Sequence, residues 1–96
     1  MLKVIKILKI DSFFVTCEFN NGLIRTIDVS PVLKKHSNLE GIEKLNNAET
    51  FAKARIGIFG EIVWDKLITT THHGKKIVWD YDISPEFIIE NAIQFK

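Results

Sequence analysis

The residue types that could do chemistry gather in the second half of the chain. His72 and His73 are adjacent, and with Asp65, Asp80 and Asp82 they are the nearest approach to a metal-ligand set or an acid–base pair. Neighbours on a strand point to opposite faces, so both imidazoles reach one ion only where a turn bends them together, and no HxH or HxxxH spacing occurs. The pair reads as an exposed turn, and no metal is expected. Asp80, Asp82 and Glu86 beside Tyr81 could be paired carboxylates, a use that needs burial or mutual repulsion to separate their proton affinities. A plainer account is that Asp82 leads into a helix start and Glu86 sits in its first turn, where free amides stabilise negative charge by about 0.3–1 kcal/mol. The chain has no Gly-rich phosphate loop, no GxSxG and no Ser, His, Asp order with supporting context. No catalytic residue and no cofactor is therefore expected.

Trp64 and Trp79 are the residues with most to offer stability or recognition, because each can bury about 150–250 Å². Both lie in apolar runs, which favours the core, while an indole left on the outside of a small sheet would anchor a partner. Cys17 is the only cysteine, so it forms neither an intrachain disulfide nor a cysteine-based metal site. Its place between Val15 and Phe19 makes it a small core hydrophobe. Lys3, Lys6 and Lys9, and Lys34, Lys35 and His36, are the basic clusters. At three-residue spacing the first three do not all share a face of a regular strand. With a formal charge of +1 there is no overall field to draw in nucleic acid.

These side chains need elements to position them. Ninety-six residues suffice for one domain spanning 1–96 with one core. The 46% apolar and 26% charged composition is that of a globular domain, so disorder is not expected. The apolar runs are broken every few residues, short of the roughly 20 that a membrane span needs, and Lys3, Lys6 and Lys9 interrupt any signal-sequence core. A cytoplasmic protein without membrane contact is expected.

Residues 3–10 (KVIKILKI) fit either period, and β-branching tips them to a strand. Phe13, Val15, Cys17 and Phe19 alternate with Phe14, Thr16 and Glu18, the period of a half-buried strand. Asn21-Gly22 then predicts a two-residue turn that sets Phe19 opposite Ile24 and Glu18 opposite Arg25, with a third strand over residues 23–28. Ser30-Pro31 opens a short helix. Residues 36–46 read as a loop with one helical turn, and Asn46 with Glu49 as a capping box for a helix ending near Arg55. Ile62-Val63-Trp64-Asp65 recurs as Ile77-Val78-Trp79-Asp80, which predicts two neighbouring strands carrying similar residues on one face, joined by a turn at His73-Gly74. Ser84-Pro85 starts a last helix whose apolar stripe is Phe87, Ile88, Ile89, Ala92, Ile93 and Phe95, opposite Glu86, Glu90 and Gln94. The expected fold is α+β: one antiparallel sheet of about five strands packed against a C-terminal helix, with short helices mid-chain.

Ala54 to Glu61 (ARIGIFGE), Trp64, and Trp79 to Phe87 (WDYDISPEF) resemble the C-terminal half of the bacterial family known as domain of unknown function 2442. The Lys-Val opening, the Asn-Gly turn and Asp28-Val29-Ser30-Pro31 extend the resemblance over nearly the whole chain. Commoner members run one short tryptophan-bearing hairpin directly into the last helix, and here Lys66 to Lys76 lengthens it. Some members carry a DNA-binding helix-turn-helix domain afterwards, which these residues do not contain. The resemblance implies an α+β fold and an antitoxin-like or regulatory role, and supplies no catalytic residues. The expected function is thus a non-enzymatic protein-interaction module, with Trp64, Trp79, Tyr81, Asp82 and Glu86 as candidate contacts. The partner would be another protein or a second copy paired through an edge strand. Two alternatives are weak nucleic-acid binding through the N-terminal lysines and a small hydrolase or ribonuclease using His72 or His73.

Overall fold

Residue burial along the first strand, β1 (Val4–Asp11), follows neither the strand nor the helix period. Val4, Ile7 and Ile10 turn inward at every third position. The register against β2 (Phe14–Phe19) explains this: it slips by one residue between Val4 and Lys6 and again between Ile7 and Lys9. Each slip is a β-bulge that inserts one extra residue on β1. The bulges change which lysines are neighbours: Lys6 and Lys9, which regular alternation would separate, sit opposite Glu18 and Thr16 on one face, while Lys3 precedes the strand.

We describe residues 1–94 in a computed structural model. Strand β3 (Ile24–Asp28) completes a first antiparallel sheet in the order β1-β2-β3. Its turn differs from the predicted one: Glu18 faces Ile24 and Cys17 faces Arg25, with Phe19 N donating to Leu23 O at 2.8 Å. The loop therefore holds three residues, and only Gly22, at φ 87°, needs a left-handed backbone. The energetic reason lies at Ile27. The observed register sets it opposite Val15 in the core, whereas the predicted one would turn it to the outer face. Burying an isoleucine is worth about 1.5–3 kcal/mol, more than the roughly 0.2–1 kcal/mol of a Glu18–Arg25 pair.

Helix α1 (Ser30–Lys35) begins after Asp28, whose Oδ1 accepts from both the amide and the hydroxyl of Ser30. Asp28, and not Ser30, thus supplies the acceptor at this helix start. A 3-10 turn (Ile42–Asn46) follows, then α2 (Ala48–Phe51), capped by Asn47 through Thr50 N rather than by the predicted Asn46. Helix α2 is one turn long and stops well short of Arg55.

The second sheet has the order β4-β5-β6, from β4 (Arg55–Ile56), β5 (Ile62–His72) and β6 (Lys75–Ile83). The expected single sheet of about five strands is therefore two sheets of three. They are neighbours where Val4 N donates to Gly60 O at 2.9 Å, and a Cβ on Gly60 would lie 2.4 Å from that of Lys3. Glycine at this position permits the close approach, and the two sheets meet there by a contact and not by a ladder. Both sheets contribute to one core: Val15, Phe19 and Ile27 from the first, and Ile62, Trp64 and Ile83 from the second.

Helix α3 (Pro85–Glu90) starts as expected, with Ser84 Oγ accepting from Phe87 N. It ends earlier than its apolar stripe predicts. Asn91 Nδ2 donates to Phe87 O, Ala92 bridges to Ile27, and Ile93 N donates to Thr26 O at 2.8 Å. The open edge of β3 captures the chain in extended form, so Ala92, Ile93 and Gln94 leave the helix. Phe95 lies outside the described residues. No helix among the described residues is long and apolar enough to cross a membrane.

Candidate interaction site

The β5–β6 hairpin runs through two environments. Near its base the aromatic rings form a chain. Phe13 meets Phe51 edge-on at 5.6 Å, Phe51 tilts against Trp64 at 5.3 Å, and Tyr81 lies 6.1 Å beyond Trp64 with His36 at its far side. Trp64 Nε1 donates to Phe51 O at 2.9 Å, and Tyr81 Oη shares a 2.8 Å hydrogen bond with His36 Nδ1. Both aromatic polar atoms thereby keep a partner inside the protein, as burial demands. Burial, with Asp82 nearby, pushes the Tyr81 hydroxyl above its ordinary value.

A bulge separates this base from the rest of the hairpin. Trp64 pairs with Tyr81, and the next pair is Ile68 with Trp79, so β5 carries two extra residues. Lys66 takes φ 49° there, and its amide donates to Asp80 Oδ1 at 2.9 Å. The bulge lets the consecutive residues Leu67 and Ile68 both reach the core. Gly41 makes the close approach feasible, since a Cβ on it would lie 2.0 Å from Leu67 O. Thr69 N then donates to Glu40 O, which is the last backbone anchor on this side.

Beyond the anchor, every residue from Thr70 to Asp80 is exposed. This two-stranded arm contributes to a molecule measuring 48 × 26 × 22 Å. Its tip is a tight turn with His73 at φ 50° and Gly74 at φ 77°, at the predicted position. The repeated tetrapeptide therefore meets two fates. In β5, Ile62, Val63 and Trp64 are 0%, 5% and 2% exposed; in β6, Ile77, Val78 and Trp79 are 39%, 52% and 52% exposed. The expected neighbouring strands and shared face are present, but the core assignment of Trp79 is overturned. Its indole donates to Thr70 Oγ1 across the arm at 2.7 Å and leaves its ring in solvent. The arm lies past the reach of the helices, and its β5 side, where Thr69, Thr70, Thr71 and His72 face Val78, Ile77, Lys76 and Lys75, offers no apolar layer.

Of the five candidate contacts, Trp64 and Tyr81 are interior, while Trp79, Asp82 and Glu86 are exposed. Ile77 and Val78 were not singled out as contacts by the sequence, although their polar cross-strand partners Thr70 and Thr69 are the signal that could have found them. The edge of β6 differs from its counterparts. β1 is met by Gly60, β3 by Ile93 and the arm side of β5 by Glu40, whereas β6 has no backbone hydrogen bond beyond β5 among the described residues.

The histidine constellation comes apart. His72 and His73 stack edge-on at 4.2 Å at the arm tip, beside Lys75 and Lys76. Asp82 lies seven residues from Lys75 along β6, about 23 Å at the usual strand rise. Asp80 is engaged by Lys66 N, and Asp65 by Arg55 Nε and Nη2 at 2.8 and 2.7 Å. That ion pair holds the Asp65 carboxyl below its ordinary value and the Arg55 guanidinium above its own. Among the described residues no three His, Cys, Asp or Glu side chains converge on a metal position.

Further apolar side chains are exposed at the Gly57–Gly60 turn, Ile58 and Phe59, and in the first sheet, Ile5, Leu8, Phe14 and Ile24. An open groove of about 490 Å³, lined among others by Phe13, Pro31, Leu33, Ile42, Lys34 and Glu43, adjoins α1 and the 3-10 turn. No protein-family model, no curated protein and no solved structure matches the chain.

Proposed function

We propose that the chain is a cytoplasmic, non-enzymatic interaction module, an antitoxin-like regulator that binds a protein by accepting its strand along the free edge of β6. The observation that carries this reading is the run Ile77-Val78-Trp79, three large apolar side chains exposed together on a strand with an open hydrogen-bonding edge. Proteins ordinarily protect such edges, because they template pairing with another chain. Main-chain bonds along the edge give affinity, and side chains at alternate positions give selectivity. Trp79 is the natural anchor, with Asp82 and Glu86 farther along the same end of the chain. The antitoxin-like role rests on the resemblance of the Trp79 to Phe87 segment to domain of unknown function 2442, whereas the single-domain reading rests on the length of the chain.

The test is co-purification of the tagged chain with the products of its neighbouring genes. We expect a retained partner, lost when Ile77, Val78 and Trp79 are replaced together by Ser, with the circular dichroism of the chain unchanged. Retention by the triple variant would refute the reading.

A second reading has one observation in its favour. The β1 bulges put Lys6 and Lys9 on one face, a better nucleic-acid surface than regular alternation would give. Glu18 faces Lys6, and Asp11 lies 3.9 Å from Lys9, so opposing charge reduces that field. Binding that weakens steeply with added salt would support this reading, and none at low salt would remove it.

A further inference from the structure

We infer that the strand which completes the β6 edge is the β6 of a second copy, paired antiparallel about a two-fold axis at Val78. The inference rests on the reading of β6 as a binding edge and names its occupant.

The backbone sets the first condition. The two-residue turn at His73-Gly74 closes on His72 and Lys75, and both turn residues have positive φ, as a hairpin turn of this length prefers. The pair flanking such a turn exchanges hydrogen bonds, so Lys75, Ile77 and Trp79 direct their N–H and C=O groups toward β5. Lys76, Val78 and Asp80 then direct theirs outward, along the free edge. A two-fold at Val78 lets the two Val78 residues exchange both bonds, and sets each Lys76 opposite the Asp80 of the other copy, again with outward-facing groups on both sides.

Charge sets the second condition. Two-fold registers centred on Lys76 or Asp80 place like charges directly opposite one another, which is unfavourable across a strand pair. Those centred on Ile77 or Trp79 place Val78 opposite Lys76 or Asp80. The Val78 register instead pairs apolar with apolar and cation with anion: Val78 with Val78, Lys76 with Asp80 twice, and Ile77 with Trp79 twice. Asp80 has an oxygen free for this, since Lys66 N is bonded to its Oδ1 alone. The edge sequence Lys-Ile-Val-Trp-Asp is thus self-complementary about its centre, which is the requirement of an isologous interface. Pairing would join two three-stranded sheets into one of six strands and cover Trp79.

Sedimentation equilibrium of the purified chain over a range of concentrations tests this, with three variants. Val78→Pro removes the central outward amide without touching the bonds to β5, and proline is tolerated on an edge strand. Lys76→Glu and Asp80→Lys each create two like-charge contacts, and the double variant exchanges them. We expect a concentration-dependent dimer for the wild type and a folded monomer for Val78→Pro. Each single charge variant should associate about tenfold more weakly, and the double variant should recover to within about threefold of the wild type. Wild-type protein that stays monomeric at the highest concentration, dimerisation undisturbed by Val78→Pro, or no recovery in the double variant would each overturn the inference. A monomeric chain that still co-purifies with a neighbouring product through Ile77, Val78 and Trp79 overturns the self-pairing alone and leaves the binding edge standing.

Discussion

The two copies of Ile-Val-Trp-Asp, at residues 62–65 and 77–80, are identical in sequence, neighbours in one sheet and, over their three apolar residues, opposite in burial. In β5 the tetrapeptide runs beneath α2 and the aromatic chain, and its indole closes a hydrogen bond to Phe51 O. In β6 it runs along the arm, where its indole donates to Thr70 Oγ1. Local sequence therefore determines that both segments are strands, but not what lies above them. What separates the two is the bulge at Lys66 and the anchor at Thr69, which carry the hairpin past the last covering layer.

The largest expected difference comes from deleting the first side chain of each copy. Ile62→Ala removes a fully buried group and should lower unfolding free energy by about 2–5 kcal/mol, whereas Ile77→Ala should stay within about 0.5 kcal/mol, both by denaturant titration of dilute protein. Similar losses at both positions would mean that the arm is packed in solution and the comparison fails.

A smaller contrast concerns the glycines at the two hairpin tips. Gly22 and Gly74 share a left-handed backbone, and a Cβ would meet nothing within 4 Å at either. Alanine therefore costs backbone strain alone, about 1–2 kcal/mol. At Gly22 the strain falls on a hairpin that lines the core and should appear in global stability. At Gly74 it should be relieved by fraying of the arm tip and appear as faster amide exchange in residues 70–80.

Chemical access gives the third contrast. Burial pushes the Cys17 thiol from 9.0 up to about 11. Native protein should resist iodoacetamide at neutral pH, while His72 and His73 on the arm react readily with diethylpyrocarbonate and His36, bonded to Tyr81, lags. Because the folded-state value is the higher one, the folded protein holds this proton more tightly than the unfolded chain. The Cys17 contribution to stability is complete below pH 9 and is lost as pH rises from 9.0 to about 11. Rapid thiol labelling at pH 7 would contradict the assigned burial.

Much of this was legible in the sequence. The alternation at Val15, Cys17 and Phe19, the turn at His73-Gly74 and the Ser84 cap all rest on local chemistry, and all are present. The rest depended on contacts between distant residues. The three-residue period of β1 matches neither regular element until its bulges are known. The hairpin at Asn21-Gly22 was decided by the burial of Ile27 rather than by turn preference, and the last helix was cut short by the edge of β3. The candidate contacts divided for the same reason. Trp64 and Trp79 carry the same neighbours in sequence, and only the layer above them separates a core residue from a surface one.

Fluorescence of the two single-tryptophan variants tests that separation most directly. In dilute monomeric protein, Trp79→Phe should leave an indole at Trp64 with blue-shifted emission and strong resistance to acrylamide, whereas Trp64→Phe should leave Trp79 with red emission and ready quenching. A shielded Trp79 under those conditions, or a Trp64 open to the quencher, would contradict the division of the hairpin into a core segment and an exposed arm.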